Sequence, residues 1–125
     1  MKYLLLMYAS ESKLLPLEEI QADVPDWQTL LKETKEVGVL VSTDGVAPDT
    51  NATTVRVRQG KTLITDGSSA EAHEQLGGYF LLDCPDLDEA IRWAEKIPTA
   101  QYGSIEIRPL WSPGSSVGQR MIASV

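Results

Sequence analysis

Residues 2–9, KYLLLMYA, hold one lysine followed by an unbroken apolar and aromatic run. In an extended chain, Lys2, Leu4, Leu6 and Tyr8 share one face, and Tyr3, Leu5, Met7 and Ala9 share the other. A strand that is apolar on both faces belongs in the middle of a sheet and needs cover on both sides. The segment also has the outline of a secretory leader, with a lysine, an apolar stretch and then Ala9-Ser10. Its apolar core of about seven residues lies at the short limit for such a leader, and removing it would delete the first strand, so it is read as structure.

Apolar residues then recur at helical spacing, at Leu17, Ile20, Val24, Trp27, Leu31 and Val37. Pro25 interrupts the stripe, and proline costs about 3 kcal/mol inside a helix but is tolerated in a first turn. A short helical turn near 17–22 and a main helix over 25–37 are therefore expected, with Gly38 as the stop. The segment VLVSTDGVAP reads as a second strand. In TTVRVRQGKTLIT, Val55 and Val57 alternate with Thr54, Arg56 and Arg58 before a Gln59-Gly60 turn, which predicts a hairpin with one wet face.

The polar loop DGSSAEAHEQLGG leads into a strand GYFLLDC that ends before Pro85. Asp86 has Glu89 three residues on, the spacing of a capping box. It opens a second helix with an apolar stripe of Leu87, Ala90, Ile91, Ala94 and Ile97, closed by Pro98. The last strand, SIEIRPL, sets Ile105 and Ile107 against Ser104, Glu106 and Arg108 on the opposite face.

In order, these elements give an α+β chain of ferredoxin-like βαββαβ pattern with an inserted β-hairpin. Its two helices cover one face of an antiparallel sheet. The other face would lie bare in a monomer, so a homodimer is expected. The 125 residues suit one domain, over 1–111, with 112–125 as a tail that is flexible or laid on a partner subunit.

A formal net charge of −7 opposes the phosphate backbone, so nucleic acid is not an expected partner. No run reaches the roughly 18 apolar residues of a membrane span. The single cysteine, Cys84, sits in the apolar run YFLLDC and is read as a buried, inert thiol. One histidine, one cysteine and scattered carboxylates offer no metal-ligand spacing, Gly77-Gly78 lacks a dinucleotide-binding pattern, and no cofactor is expected. A cytoplasmic location is expected.

From Ala52 to Pro109 the stretches TTVRVRQGKTLITDG, EQLGGYFLLD, DLDEAIRWAEKIP and GSIEIRP resemble the YCII-related family, in its branch named for a DGPF motif. MKYLLLMY and GVLVSTDGVAP extend the likeness to about residues 1–110. The resemblance implies a dimeric α/β barrel, with two open sheet faces joined around a cavity. It also implies a family largely without assigned activity, with distant dehydrochlorinase-like members acting on chlorinated aromatics and DGPF members often linked to sigma factors. Two departures stand out. The name motif reads Asp66-Gly67-Ser68-Ser69, and His73 stands where the family usually has lysine.

Several residues carry candidate chemistry, each beside a plainer role. His73, next to Glu74, is either a general base working near neutral pH or a solvated loop residue. Asp66 either orients His73 or forms an Asp-Gly turn. Glu106 and Arg108 share a strand face, where the guanidinium fork holds an acidic ligand and the carboxylate moves a proton, or the two make a surface ion pair. Tyr8 and Tyr79 line a cavity or pack an interface, and Arg56 is a weaker ligand contact on the polar side of the hairpin.

These observations favour acid-base chemistry, by proton transfer or elimination, on a small organic molecule in a dimer cavity. His73, Asp66, Glu106 and Arg108 are the catalytic candidates, and Tyr8, Tyr79 and Arg56 the ligand contacts. The alternative is a non-catalytic ligand-binding or regulatory protein, linked to sigma-factor control. Whether the chain is an enzyme at all is not decided by its sequence.

Overall fold

A computed structural model describes residues 1–10, 17–47, 51–67 and 74–111, with 17–24 described by backbone alone. The elements in chain order are β1 (Lys2–Ala9), α1 (Leu17–Val37), β2 (Leu40–Gly45), β3 (Thr53–Arg58), β4 (Lys61–Asp66), β5 (Gln75–Asp83), α2 (Leu87–Glu95), a short 3-10 turn (Pro98–Gln101) and β6 (Ser104–Pro109). Four strands form one antiparallel sheet in the order β2-β5-β1-β6, and β3 and β4 form a separate two-stranded sheet. This is the ferredoxin-like α+β arrangement, with β1 central and the hairpin inserted between β2 and β5.

Side-chain alternation along β1 decides which face carries the helices. Tyr3, Leu5, Met7 and Ala9 are buried, whereas Leu4, Leu6 and Tyr8 are half-buried. Strand β5 repeats the pattern, with Phe80 and Leu82 buried and Tyr79 and Leu81 half-buried. Helix α1 seats Leu30 and Thr34 in the core and stacks Trp27 on Phe80, the ring centroids 6.0 Å apart and the planes 7° from parallel. Thr34 is a buried hydroxyl that donates within its own helix to the carbonyls of Leu30 and Leu31, so burial leaves it satisfied.

Helix α2 is capped as its sequence predicts, the Glu89 amide donating to Asp86 Oδ1 at 2.9 Å. Its buried stripe differs from the expected one. Ala90, Ala94 and Ile97 face inward, but Trp93 joins them while Leu87 and Ile91 remain exposed. A nine-residue helix lying flat on a sheet presents a narrow stripe, and the large indole fills it in place of the two flanking aliphatics.

Two further expectations are corrected. The helix does not break at Pro25. A single helix runs through it from Leu17 to Val37, and Thr29 donates its hydroxyl to the Pro25 carbonyl at 3.0 Å. Pro25 is exposed, so the amide missing at this point lies on the solvent side, and the packing of Trp27, Leu30 and Leu31 holds the helix together. The hairpin, moreover, has two wet faces. Val55, Val57 and Ile64 are 59%, 60% and 67% exposed, and Leu63 on the opposite face is 47% exposed. Its Gln59-Gly60 turn has both residues at positive φ, the backbone of a twist-matched two-residue hairpin turn.

Helix α1 ends at Gly38, whose φ of +86° lets the Gly38 and Val39 amides close back on the Thr34 carbonyl. Strand β5 starts at Gln75, earlier than its sequence suggests, and its register against β1 skips Gly77, Met7 lying opposite Gly78 and Tyr8 opposite Leu76. A Cβ on Gly78 would sit 2.7 Å from both the Asp44 carbonyl oxygen and Met7 Cε. The backbone contact cannot be relieved by a rotamer change. Gly78→Ala should therefore destabilise the protein by about 1–3 kcal/mol in chemical denaturation, and wild-type stability in this variant would contradict the packing described.

Candidate open-face site

The sheet face turned away from the helices gathers most of the residues with candidate chemistry. In the β1–β6 ladder, Leu4 lies opposite Arg108, Leu6 opposite Glu106, and Tyr8 opposite Ser104. In the β1–β5 ladder, Leu4 lies opposite Leu81 and Leu6 opposite Tyr79. One surface thus carries an oily centre of Leu4, Leu6 and Leu81, two phenols, and an acid-base pair on the edge strand β6.

Arg108 donates through Nε to Glu106 Oε1 at 2.7 Å, a short charge-assisted bond between residues two apart on one face. That bond and the neighbouring carboxylate charge raise the Arg108 pKa, with a smaller contribution from Tyr8 in the same direction. The Arg108 side chain is 68% exposed, and its remaining N–H groups can meet an anionic or carbonyl oxygen. Tyr79 places its hydroxyl 2.8 Å from Ser42 Oγ on the other edge strand, while the Tyr79 carbonyl accepts from Thr43 Oγ1 at 2.8 Å. Near Tyr8, Ser104 donates to Glu74 Oε2 at 2.9 Å.

Ser42 and Glu74 thus join this face without having been singled out in the sequence, and Ser104 joins it as the alternation of the last strand predicts. Glu74 was legible only as a neighbour of His73. Ser42 was hidden by a register shift between Leu40 and Ser42, which a strict count of alternation does not anticipate.

Asp66 and Arg56 lie on the separate β3–β4 sheet. Asp66 is the last residue of β4, exposed and opposite Thr53, and the Gly67 amide following it donates to the Ala52 carbonyl at 2.8 Å. Arg56 lies opposite Leu63 on the hairpin. His73 falls outside the described residues, as does the tail 112–125. Among the described residues no group of three or more His, Cys, Asp and Glu side chains is placed to hold a metal ion, and no helix is long and apolar enough to cross a membrane.

A separate groove of about 410 Å³ opens on the helical side, lined by Asp26, Leu30, Glu33, Lys96, Ile97 and Gln101 among others. Its lysine is occupied. Lys96 Nζ pairs with Glu33 Oε2 at 2.9 Å and lies 5.0 Å from the centre of the Trp93 ring. Cys84 is buried at 1% exposure, and burial, reinforced by Glu89 and Asp83, raises its thiol above the ordinary value of 9.0.

A family model described as the YCII-related domain matches residues 1–112. An uncharacterised protein of Rhizobium meliloti (strain 1021) is 37% identical over 120 residues, spanning 91% of this chain and 97% of its own length. Among solved structures, 5-chloro-2-hydroxyhydroquinone dehydrochlorinase from Burkholderia phenoliruptrix, in complex with 2,5-dihydroxybenzoquinone, superposes with a TM-score of 0.49 at 11% identity, covering 89% of this chain and 94% of that one.

Two outcomes test the local descriptions. Tyr79→Phe removes the bond to Ser42 and should cost about 1 kcal/mol of stability, read by denaturant unfolding with the sheet otherwise unchanged. The raised thiol pKa means that the folded chain holds the Cys84 proton more tightly than the unfolded chain does. Its contribution is full below pH 9.0 and is lost as pH rises through the higher folded value. Native Cys84 should accordingly alkylate at pH 8 at least roughly 100-fold more slowly than in the denatured chain, and equal rates would show an accessible thiolate.

Proposed function

The chain belongs to the YCII-related family, and from that premise we propose that it is a homodimer binding a small organic molecule between two open sheet faces. There it performs acid-base chemistry, by proton transfer or elimination. The observation that supports this reading is the Glu106–Arg108 pair, 2.7 Å apart, at the edge of a surface whose middle is made of leucines and tyrosines. A charged pair on a sheet face that must be covered carries a desolvation cost, which an ionic or polar ligand offsets.

In this reading Arg108 receives an anionic or carbonyl oxygen of the ligand through the N–H groups not engaged by Glu106. Glu106 Oε1 accepts from Arg108, and its second oxygen moves the proton. Tyr8 and Tyr79 border the site with flat apolar rings and polar tips. His73, and Asp66 at the end of β4, remain candidates for a second proton-handling group.

A second reading has its own support. Glu106 is tied to Arg108 and the Tyr79 hydroxyl to Ser42, so both of these groups already have partners, as befits a non-catalytic pocket that binds and signals.

One set of variants separates the two. Glu106→Gln keeps shape and removes the base. With a panel of small carbonyl and phenolic acids as probes, enzymatic turnover should fall at least roughly 100-fold while probe binding persists. Arg108→Ala should weaken binding of the anionic probes. Turnover unchanged by Glu106→Gln would assign the face to binding alone. Leu6→Asp, which sets a carboxylate in the middle of the oily face, should dissociate the dimer in sedimentation measurements, and an undisturbed dimer would remove the paired-sheet arrangement.

A further inference from the structure

A second carboxylate stands on the open face, at the sheet edge farthest from Glu106. After the register shift in β2, Ser42 lies opposite Leu81, Thr43 opposite Phe80 and Asp44 opposite Tyr79. Residues directly opposite in an antiparallel ladder project from the same face. Asp44 therefore stands with Tyr79 on the open side, and Thr43 with the buried Phe80 on the other. Across the four strands the ladders align as rows. Asp44, Tyr79, Leu6 and Glu106 form one, and Ser42, Leu81, Leu4 and Arg108 form the next. Each row has a polar group at both edges of the sheet and an apolar or aromatic middle.

Asp44 is not a turn residue, although glycine follows it. The pairing continues beyond it, with the Val46 amide donating to the Gly77 carbonyl at 2.9 Å. Aspartate is depleted within strands. This one is exposed and makes no side-chain hydrogen bond or ion pair with the described residues. Glu106, by contrast, is held by Arg108 at 2.7 Å. The two edges of the face thus differ in kind. Strand β6 offers a guanidinium with donors to spare, and β2 offers a carboxylate acceptor that no described residue occupies.

We propose that Asp44 is a ligand-binding residue that receives the hydrogen-bond donor end of a flat acid whose anionic end sits on Arg108. The inference rests on the open-face ligand reading above and adds the ligand class, an aromatic acid with a hydroxyl or amino group at its far end. Length supports the assignment. Three inter-strand steps of about 4.8 Å set the backbones of Asp44 and Glu106 roughly 14 Å apart. Side chains stand nearly perpendicular to a sheet, and the Nε bond draws the Arg108 head toward the Glu106 row. Two hydrogen bonds of about 2.8 Å take up about 6 Å, which leaves about 8 Å, room for one ring with a polar group at each end. A diacid fits worse, because its second carboxylate would meet Asp44 at like charge and with no donor between them.

The test is calorimetric binding of 4-hydroxybenzoate and of benzoate, which lacks the distal donor, to the full chain, with circular dichroism confirming the fold of each variant. Wild type should bind 4-hydroxybenzoate about tenfold more tightly than benzoate. Asp44→Ala should abolish that preference and leave benzoate affinity within about twofold of wild type. Asp44→Asn, which keeps a neutral acceptor, should retain part of it. Arg108→Ala should weaken both acids alike, by at least roughly tenfold. Equal affinities in wild type, or a preference undiminished in Asp44→Ala, would overturn the role of Asp44 while the open face remains a ligand site. Binding of neither acid by wild type would remove the ligand class. An Asp44-dependent preference beside turnover indifferent to Glu106→Gln removes the acid-base chemistry and leaves this inference standing.

Discussion

Strand β1 presents apolar side chains to both faces of the sheet and lies between β5 and β6, so neither face can be left to water without cost. On the Tyr3, Leu5 and Met7 side the cover is internal. Trp27 stacks on Phe80, and Leu30, Ala90, Trp93 and Ile97 close the layer. On the Leu4, Leu6 and Tyr8 side the side chains are only half-buried, shielded by their neighbours within the sheet. Both helices fall on one side because each follows a strand and returns across the same face, which is the handedness of the split βαβ unit. The one-sided cover is thus a consequence of connectivity, and it determines which surface is open for function.

Strand β6 translates that constraint into chemistry. Its alternation sends Ile105 and Ile107 to the helical layer and Glu106 and Arg108 to the open face, and its antiparallel register against β1 fixes them opposite Leu6 and Leu4. A slip of one residue would exchange the two sets and bury both charges under the helices. The ion pair is therefore held in place by the isoleucines on the reverse of the same strand, and packing on one face positions polarity on the other.

Much of this was legible in the sequence, because it depends on alternation and on caps. The two faces of β1, the Ile/charge alternation of β6, the Asp86 cap and the Gly38 stop all follow from local rules that the tertiary structure does not override. What was not legible required long-range information. Pro25 reads as a helix boundary by propensity, and only the burial of Leu30 and the stacking of Trp27 on Phe80 explain a helix that continues through it. The hairpin's alternation announces a strand pair but not whether its apolar side meets the core, since Val55 and Val57 look the same in either case. The Ser42–Tyr79 bond depends on a register shift in β2 that no composition signals. For the site itself, periodicity put Glu106 and Arg108 on one face of the last strand, and the ladder registers join them to Tyr8 and Tyr79. Asp66 and Arg56 lie on a separate hairpin that the same periodicity could not locate.

The distribution of polarity over the open face has a further consequence for the proposed pairing. Its polar atoms lie mainly toward the edges, with Ser42 on β2 and Glu106 and Arg108 on β6, whereas the central strands contribute Leu4, Leu6 and Leu81. Two such faces brought together would enclose an apolar middle bordered by donors and acceptors, the chemistry suited to a flat ligand with polar substituents at its rim. The pairing of Glu106 with Arg108 lowers the cost of that closure. A lone carboxylate would lose its hydration with nothing in return, whereas this one keeps a short bond to a guanidinium that still has donors to spare. In the proposed pairing, the neighbouring arginine on the same strand face offsets the cost of burying the carboxylate.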